Sequence, residues 1–291
     1  MSWLKRTKSS AGSSGSGRKA LLRGGLAVAL AAGTLVAFQV GGAQAGEDDG
    51  DGTAVPMIIG GEPASEEYGF AAAIERDRED GTTRFSCGGS LVDEQWVLTA
   101  AHCVVDKETG ESFDASLFHV RVGSNDRTTG GSTADVAEIV VHPDYPTAPD
   151  NRADMALFRL DQPVDVTPIE LTDEVGGVGT PLRVVGWGYT SADATELPTQ
   201  LQQLDTSVIP DEECVVGDEW DIAEGDFCVD NPGDVAGTCG GDSGTPVIVR
   251  VGDRWELAGL DSRGVSDCAV APSVSPSAVY HQDWISGVVN G

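Results

Sequence analysis

Beyond residue 57 the chain offers short β-prone runs closed off by Gly, Pro, Asp and Asn, and almost no sustained helical periodicity. This limits the folds open to it. A run of five or six residues with alternate apolar side chains buries one face of a strand but is too short for a stable helix. Leu117-Phe118-His119-Val120-Arg121-Val122 alternates in this way, and Ala156–Leu160 and Pro181–Val185 read similarly. Thr245–Val249 and Trp255–Leu260 read as buried strands. Only the tail, with Trp284, Ile285, Val288 and Val289 at helical spacing, predicts a helix. Many short strands with frequent turns argue for an all-β fold of antiparallel barrels.

The fold need not include the N-terminus. Residues 1–45 hold six basic residues and no acidic ones, then an apolar stretch from Leu26 to Val40 and Ala43-Gln44-Ala45. A basic lead, a short apolar core and a small-residue end read as a secretory signal peptide. The competing reading is an uncleaved membrane anchor, but the run is short and interrupted by glycine. Residues 46–57 then read as a short acidic pro-segment, leaving 58–291 as one unit long enough to bury its own core. The whole chain carries a formal charge of −29, and 58–291 carries −31, with Lys107 its one lysine. So acidic a surface repels nucleic acid and anionic membranes and favours solubility. Six cysteines in an exported chain favour disulfides over a metal site, and no Cys-x-x-Cys spacing is present. Six cysteines allow fifteen pairings, among which the residues alone do not choose.

The chemistry concentrates in Gly237-Thr238-Cys239-Gly240-Gly241-Asp242-Ser243-Gly244-Thr245-Pro246. A serine hydroxyl is a weak nucleophile and needs a base, an orienting acid and donors for an oxyanion. Of the four histidines, His102, His119, His142 and His281, only His102 stands in a cysteine-containing context, Thr99-Ala100-Ala101-His102-Cys103. His119 alternates with valines on a strand, and His142 and His281 suit structural places. Asp154 leads into the apolar run Met155-Ala156-Leu157, where a buried carboxylate could hold an imidazole in one tautomer; Asp150 is its nearest rival.

With His102, Asp154 and Ser243 in this order, the sequence resembles the chymotrypsin/trypsin family of serine proteases. Ile58-Ile59-Gly60-Gly61, Cys87-Gly88-Gly89-Ser90, Val185-Gly186-Trp187-Gly188 and Trp284-Ile285 extend the resemblance over residues 58 to 291. It implies two packed antiparallel six-stranded barrels with a boundary near residues 165–178, a short C-terminal helix, and a secreted endopeptidase acting on proteins or peptides. His102, Asp154 and Ser243 would be catalytic, and the N–H groups of Gly241 and Ser243 would face the oxyanion. The amino group of Ile58, freed by cleavage after Met57, would pair with Asp242. The resemblance also selects the pairings Cys87–Cys103, Cys214–Cys228 and Cys239–Cys268. It implies no cofactor, no metal, no nucleic-acid partner, no stable membrane association once the signal is removed, and a monomer.

The specificity pocket departs from the tryptic pattern. The resemblance places it at Gly237, Ser262, Gly264 and Ala278, with Ser277 as an alternative to Ala278. Gly237 stands where trypsin-like members carry an aspartate, so the expectation is an uncharged pocket for bulky apolar side chains. Met57 itself would fit such a pocket and so permit self-processing. Arg263 replaces a tryptophan, which puts the apolar shelf for upstream substrate residues in doubt, and Asp267 beside Cys268 is a carboxylate that could restore tryptic specificity. Two other classes remain: a catalytically dead relative acting as a binding module, and a carboxylesterase, whose motif and chain order disagree with this sequence.

Overall fold

A computed structural model describes residues 58–145, 153–214, 222–265 and 267–291. The signal peptide and pro-segment expected at 1–45 and 46–57 lie outside these residues, as does Asp150. Thirteen strands and one α-helix are formed among the described residues. Strands β2 (Ala71–Asp77), β3 (Thr83–Asp93), β4 (Trp96–Thr99), β5 (Phe118–Val122), β6 (Ser132–Val141) and β7 (Ala156–Leu160) close into an antiparallel barrel in the order β2-β3-β4-β7-β6-β5. Closure leaves no edge strand to be covered.

The second sheet runs β12-β11-β8-β9-β10-β13. Its members are β8 (Pro181–Gly186), β9 (Gln202–Ile209), β10 (Asp226–Val229), β11 (Pro246–Val251), β12 (Arg254–Leu260) and β13 (Ser273–Pro276). The two-residue strand β1 (Glu62–Pro63) adds to β9, and isolated bridges Gly259–Ser277 and Arg263–Val274 bring the ends of this half-barrel together. The helix α1 (Gln282–Val289) buries Ile285. No helix among the described residues is long and apolar enough to cross a membrane.

The alternation read in the sequence is an alternation of burial in β5, whereas β7 buries Ala156, Leu157 and Phe158 in succession and β8 buries Val184, Val185 and Gly186 in succession, as strands covered on both faces do. In β5, Phe118, Val120 and Val122 point inward while His119 and Arg121 are partly exposed. Phe118 meets Phe158 of β7 with ring centroids 5.1 Å apart, among Leu91, Leu98 and Leu157. The second core gathers Leu182, Val184, Val208, Phe227, Val229, Val247 and Val249. Burying each such side chain is worth about 1.5–3 kcal/mol.

Candidate active site

Strand pairing brings His102 to Asp154. His102 lies in a one-turn 3₁₀ helix, Ala101–Cys103, just beyond β4, and Asp154 stands two residues before β7. Those strands pair antiparallel with Thr99 opposite Ala156, so the end of one and the start of the other meet. Asp154 is 1% exposed. Its Oδ1 accepts the His102 backbone N–H at 2.8 Å, and its Oδ2 lies 2.6 Å from His102 Nδ1. The Ser262 hydroxyl donates to the same Oδ2 at 2.6 Å.

Burial alone would raise the Asp154 carboxyl, but the imidazole beside it and these three hydrogen bonds reverse the sign and hold it below the usual range. Burial likewise presses His102 toward neutrality, yet the Asp154 charge and hydrogen bond raise it above its ordinary value. His102 remains partly open to solvent.

Ser243 comes from the other sheet, three residues before β11. Its carbonyl accepts the Gly88 N–H of β3 at 2.8 Å. Cys87, next to Gly88, is bonded to Cys103, next to His102. This disulfide and that hydrogen bond tie the Ser243 turn to the His102 turn. The two sulfurs lie within 4.8 Å of a His102 ring nitrogen, but both are spent in the disulfide and offer no thiolate to a metal. Two further disulfides join Cys214 to Cys228 and Cys239 to Cys268.

The turn before Ser243 is shaped for donation. Gly241 has φ +101°, a conformation that residues with a Cβ rarely adopt, and a Cβ there would sit 2.9 Å from Leu197. Neither Gly241 nor Ser243 spends its N–H on a backbone acceptor among the described residues. Thr245, where the family pattern has glycine, is fully buried and donates to the Val185 carbonyl.

Asp242 is buried and accepts the N–H groups of Gly188 (2.8 Å) and Cys239 (3.0 Å). Burial and the nearby Asp261 charge push its carboxyl up to about 7. Ile58 is buried against Leu204 and Ala236. The next residue, Ile59, forms an isolated bridge with Gly237, whose N–H donates to the Ile59 carbonyl at 2.9 Å.

The pocket residues fall in different surroundings. A Cβ on Gly264 would make ordinary van der Waals contact with Pro272 and Ser273, each 3.9 Å away. Ser262 points its hydroxyl at Asp154. Ala278 is fully buried, its N–H bonded to the Ala258 carbonyl. Arg263 is also buried, and its guanidinium pairs with the buried Asp226. Asp267 is exposed.

One carboxyl escaped the sequence reading. Asp261, 6% exposed, accepts the Thr238 hydroxyl at 2.9 Å and a hydrogen bond from the Ser273 side chain. Burial pushes it up to about 7 against the pull of those hydroxyls and of His102. An aspartate at a strand end has no sequence signature of its own; its significance comes from the residues packed around it.

The comparisons agree with this architecture. The family described as Trypsin matches residues 58–285. Kallikrein-14 of Homo sapiens is 33% identical over 211 residues, covering 69% of this chain and 73% of the relative. Kallikrein 1-related peptidase b27 of Mus musculus is 32% identical over 222 residues, covering 70% of this chain and 80% of the relative. A two-sheet β fold and a family match spanning nearly all the described residues lead to one conclusion: the chain belongs to the trypsin family and is a serine-type endopeptidase.

Proposed function

We propose that His102, Asp154 and Ser243 form the catalytic triad of a secreted endopeptidase, exported by residues 1–45 and matured by cleavage after Met57. The observation that carries this reading is the buried Asp154 carboxylate holding both the backbone and the ring of His102. That ion fixes Nδ1 as the protonated nitrogen and leaves Nε2 as the base. Ser243 Oγ attacks the peptide carbonyl while His102 takes its proton, and the N–H groups of Gly241 and Ser243 receive the developing oxyanion. His102 then delivers the proton to the leaving amine, and water repeats the sequence on the acyl-enzyme. The ammonium of a new Ile58 terminus would give the buried Asp242 a counter-charge and hold the oxyanion turn in shape.

Gly237, Ser262, Gly264 and Ala278 by themselves propose a pocket without charge, suited to bulky apolar side chains. The Asp261 carboxyl beside Thr238 favours a second reading, a cationic side chain.

A serine-directed phosphonate tests the triad. Labelling of the processed protein at Ser243, abolished in Ser243→Ala and His102→Ala, with loss of casein hydrolysis by at least about 10⁴-fold, is the expected result. A protein that folds, binds peptide and never labels is instead a binding module.

A further inference from the structure

We propose that Asp261 is the specificity-determining residue of this enzyme, its carboxylate receiving the guanidinium or ammonium of an arginine or lysine side chain on the acyl side of the scissile bond. The inference rests on the triad reading above, which places the substrate pocket beside Ser243.

Position is the first argument. Asp261 is clamped to the nucleophile turn by two backbone hydrogen bonds: its carbonyl accepts the Gly244 N–H at 2.7 Å, and its N–H donates to the Thr245 carbonyl at 2.9 Å. The next residue, Ser262, reaches Asp154. The carboxyl therefore keeps a fixed place relative to Ser243 while its side chain meets Thr238 and Ser273. Thr238 follows Gly237, and Ser273 neighbours Gly264, its Cβ 3.9 Å from where a Gly264 Cβ would stand. The carboxyl, the Gly237–Thr238 segment and the nucleophile turn are thus contiguous.

Chemistry is the second. Both hydroxyls donate to Asp261, the arrangement an ionised carboxylate prefers. The charged groups acting on it are His102, Asp154 and, through the buried turn, Asp242. No lysine or arginine is among them. Asp226, another carboxylate with a buried side chain, pairs with Arg263. A buried carboxylate without a lysine or arginine partner is costly, and a substrate cation brought beside Thr238 would supply one. A small cavity of about 10 Å³ against Gly237, Thr238 and Ser273 has room for about one water. Gly237 brings no side chain to this end, where a Cβ would come within 3.2 Å of the Ala269 Cα.

The reading has a consequence for maturation. Met57 is neither lysine nor arginine, so cleavage at Met57–Ile58 falls to a second protease of different preference.

The test uses the naturally processed protein and benzamidine, an aromatic amidine, as the cationic probe. Benzamidine should bind Ser243→Ala as well as it binds the unaltered enzyme, and Asp261→Asn should weaken it by roughly 30-fold or more. Among peptide amides differing only at the acyl-side residue, Arg and Lys should exceed Phe and Met by at least about 100-fold in kcat/KM. Asp261→Asn should remove that advantage while Phe turnover and phosphonate labelling persist, which shows that the variant is folded. Equal benzamidine affinity in Asp261→Asn, no benzamidine binding at all, or a preference for Phe in the unaltered enzyme each overturns the proposal. Asp261-dependent benzamidine binding without phosphonate labelling sinks the triad and leaves the pocket standing; labelling without benzamidine binding does the reverse.

Discussion

The Ser262 hydroxyl donates at 2.6 Å to the one oxygen of Asp154 that also holds His102 Nδ1. Two donors on one oxygen fix both the rotation of the carboxyl and the tautomer of the ring. The imidazole is raised above its ordinary value, so the base is neutral, and turnover full, only above that raised pKa. The acid limb of kcat/KM should lie above pH 6.5. Asp154→Asn should cut kcat by about 10⁴-fold, as in the family's reference triad. Ser262→Ala removes one acceptor bond from an ion that keeps two others. It should cost about 10-fold and move the acid limb of the pH profile, with KM unchanged. A normal pH profile in Ser262→Ala would show that the hydroxyl only fills space.

Asp242 gives a prediction about the precursor. Its folded pKa of about 7 exceeds the ordinary carboxylate value, so the folded chain holds a proton that the unfolded chain releases. The resulting destabilisation is absent at pH 3, grows between about pH 4 and pH 7, and is constant above. In unprocessed Ser243→Ala, Asp242→Asn should therefore stabilise the protein at pH 8 relative to pH 4 by about 2–4 kcal/mol, read from urea melts. After processing, the same substitution should instead destabilise the protein and abolish phosphonate labelling when built on Ser243. A pH-independent effect of Asp242→Asn on the precursor would remove the charge from the account.

His281 sets an acid limit on stability. It is buried edge-on to His142, ring centroids 4.7 Å apart, with Trp284 packed on the far histidine at 4.6 Å. Burial, with the second histidine nearby, lowers its pKa to about 4. A histidine depressed in the fold contributes stability that is complete above pH 6.5 and lost as pH falls toward 4. The loss should be about 2–3 kcal/mol, and His281→Gln should flatten that part of the Tm-against-pH curve. Curves of equal slope for the two proteins would assign the acid sensitivity to carboxylates.

What the chain makes legible depends on how far its signals travel. β5 can be read in place because alternation is local, each apolar residue matched by a neighbour two positions away, and β7 can be read as a short apolar run, though its Ala156, Leu157 and Phe158 are buried in succession. His102 and Asp154 can be read because each opens or closes an apolar strand, and strand pairing does the rest. The half-open form of the second sheet cannot be read, since it depends on single bridges such as Gly259–Ser277. Asp261 is silent for the same reason. Thr238 and Ser273 lie on either side of it in sequence, and only the closed sheet makes them its shell. Arg263 looks like a surface cation replacing an aromatic ring; the fold buries it on Asp226, a residue with no motif around it.

The Ile59–Gly237 bridge sets the residues that follow the proposed cleavage point against the backbone of the proposed pocket. An error of one position in trimming would displace the very peptide group from which Gly237 hangs. If cleavage falls after Met57 as proposed, accuracy of trimming would become accuracy of substrate choice.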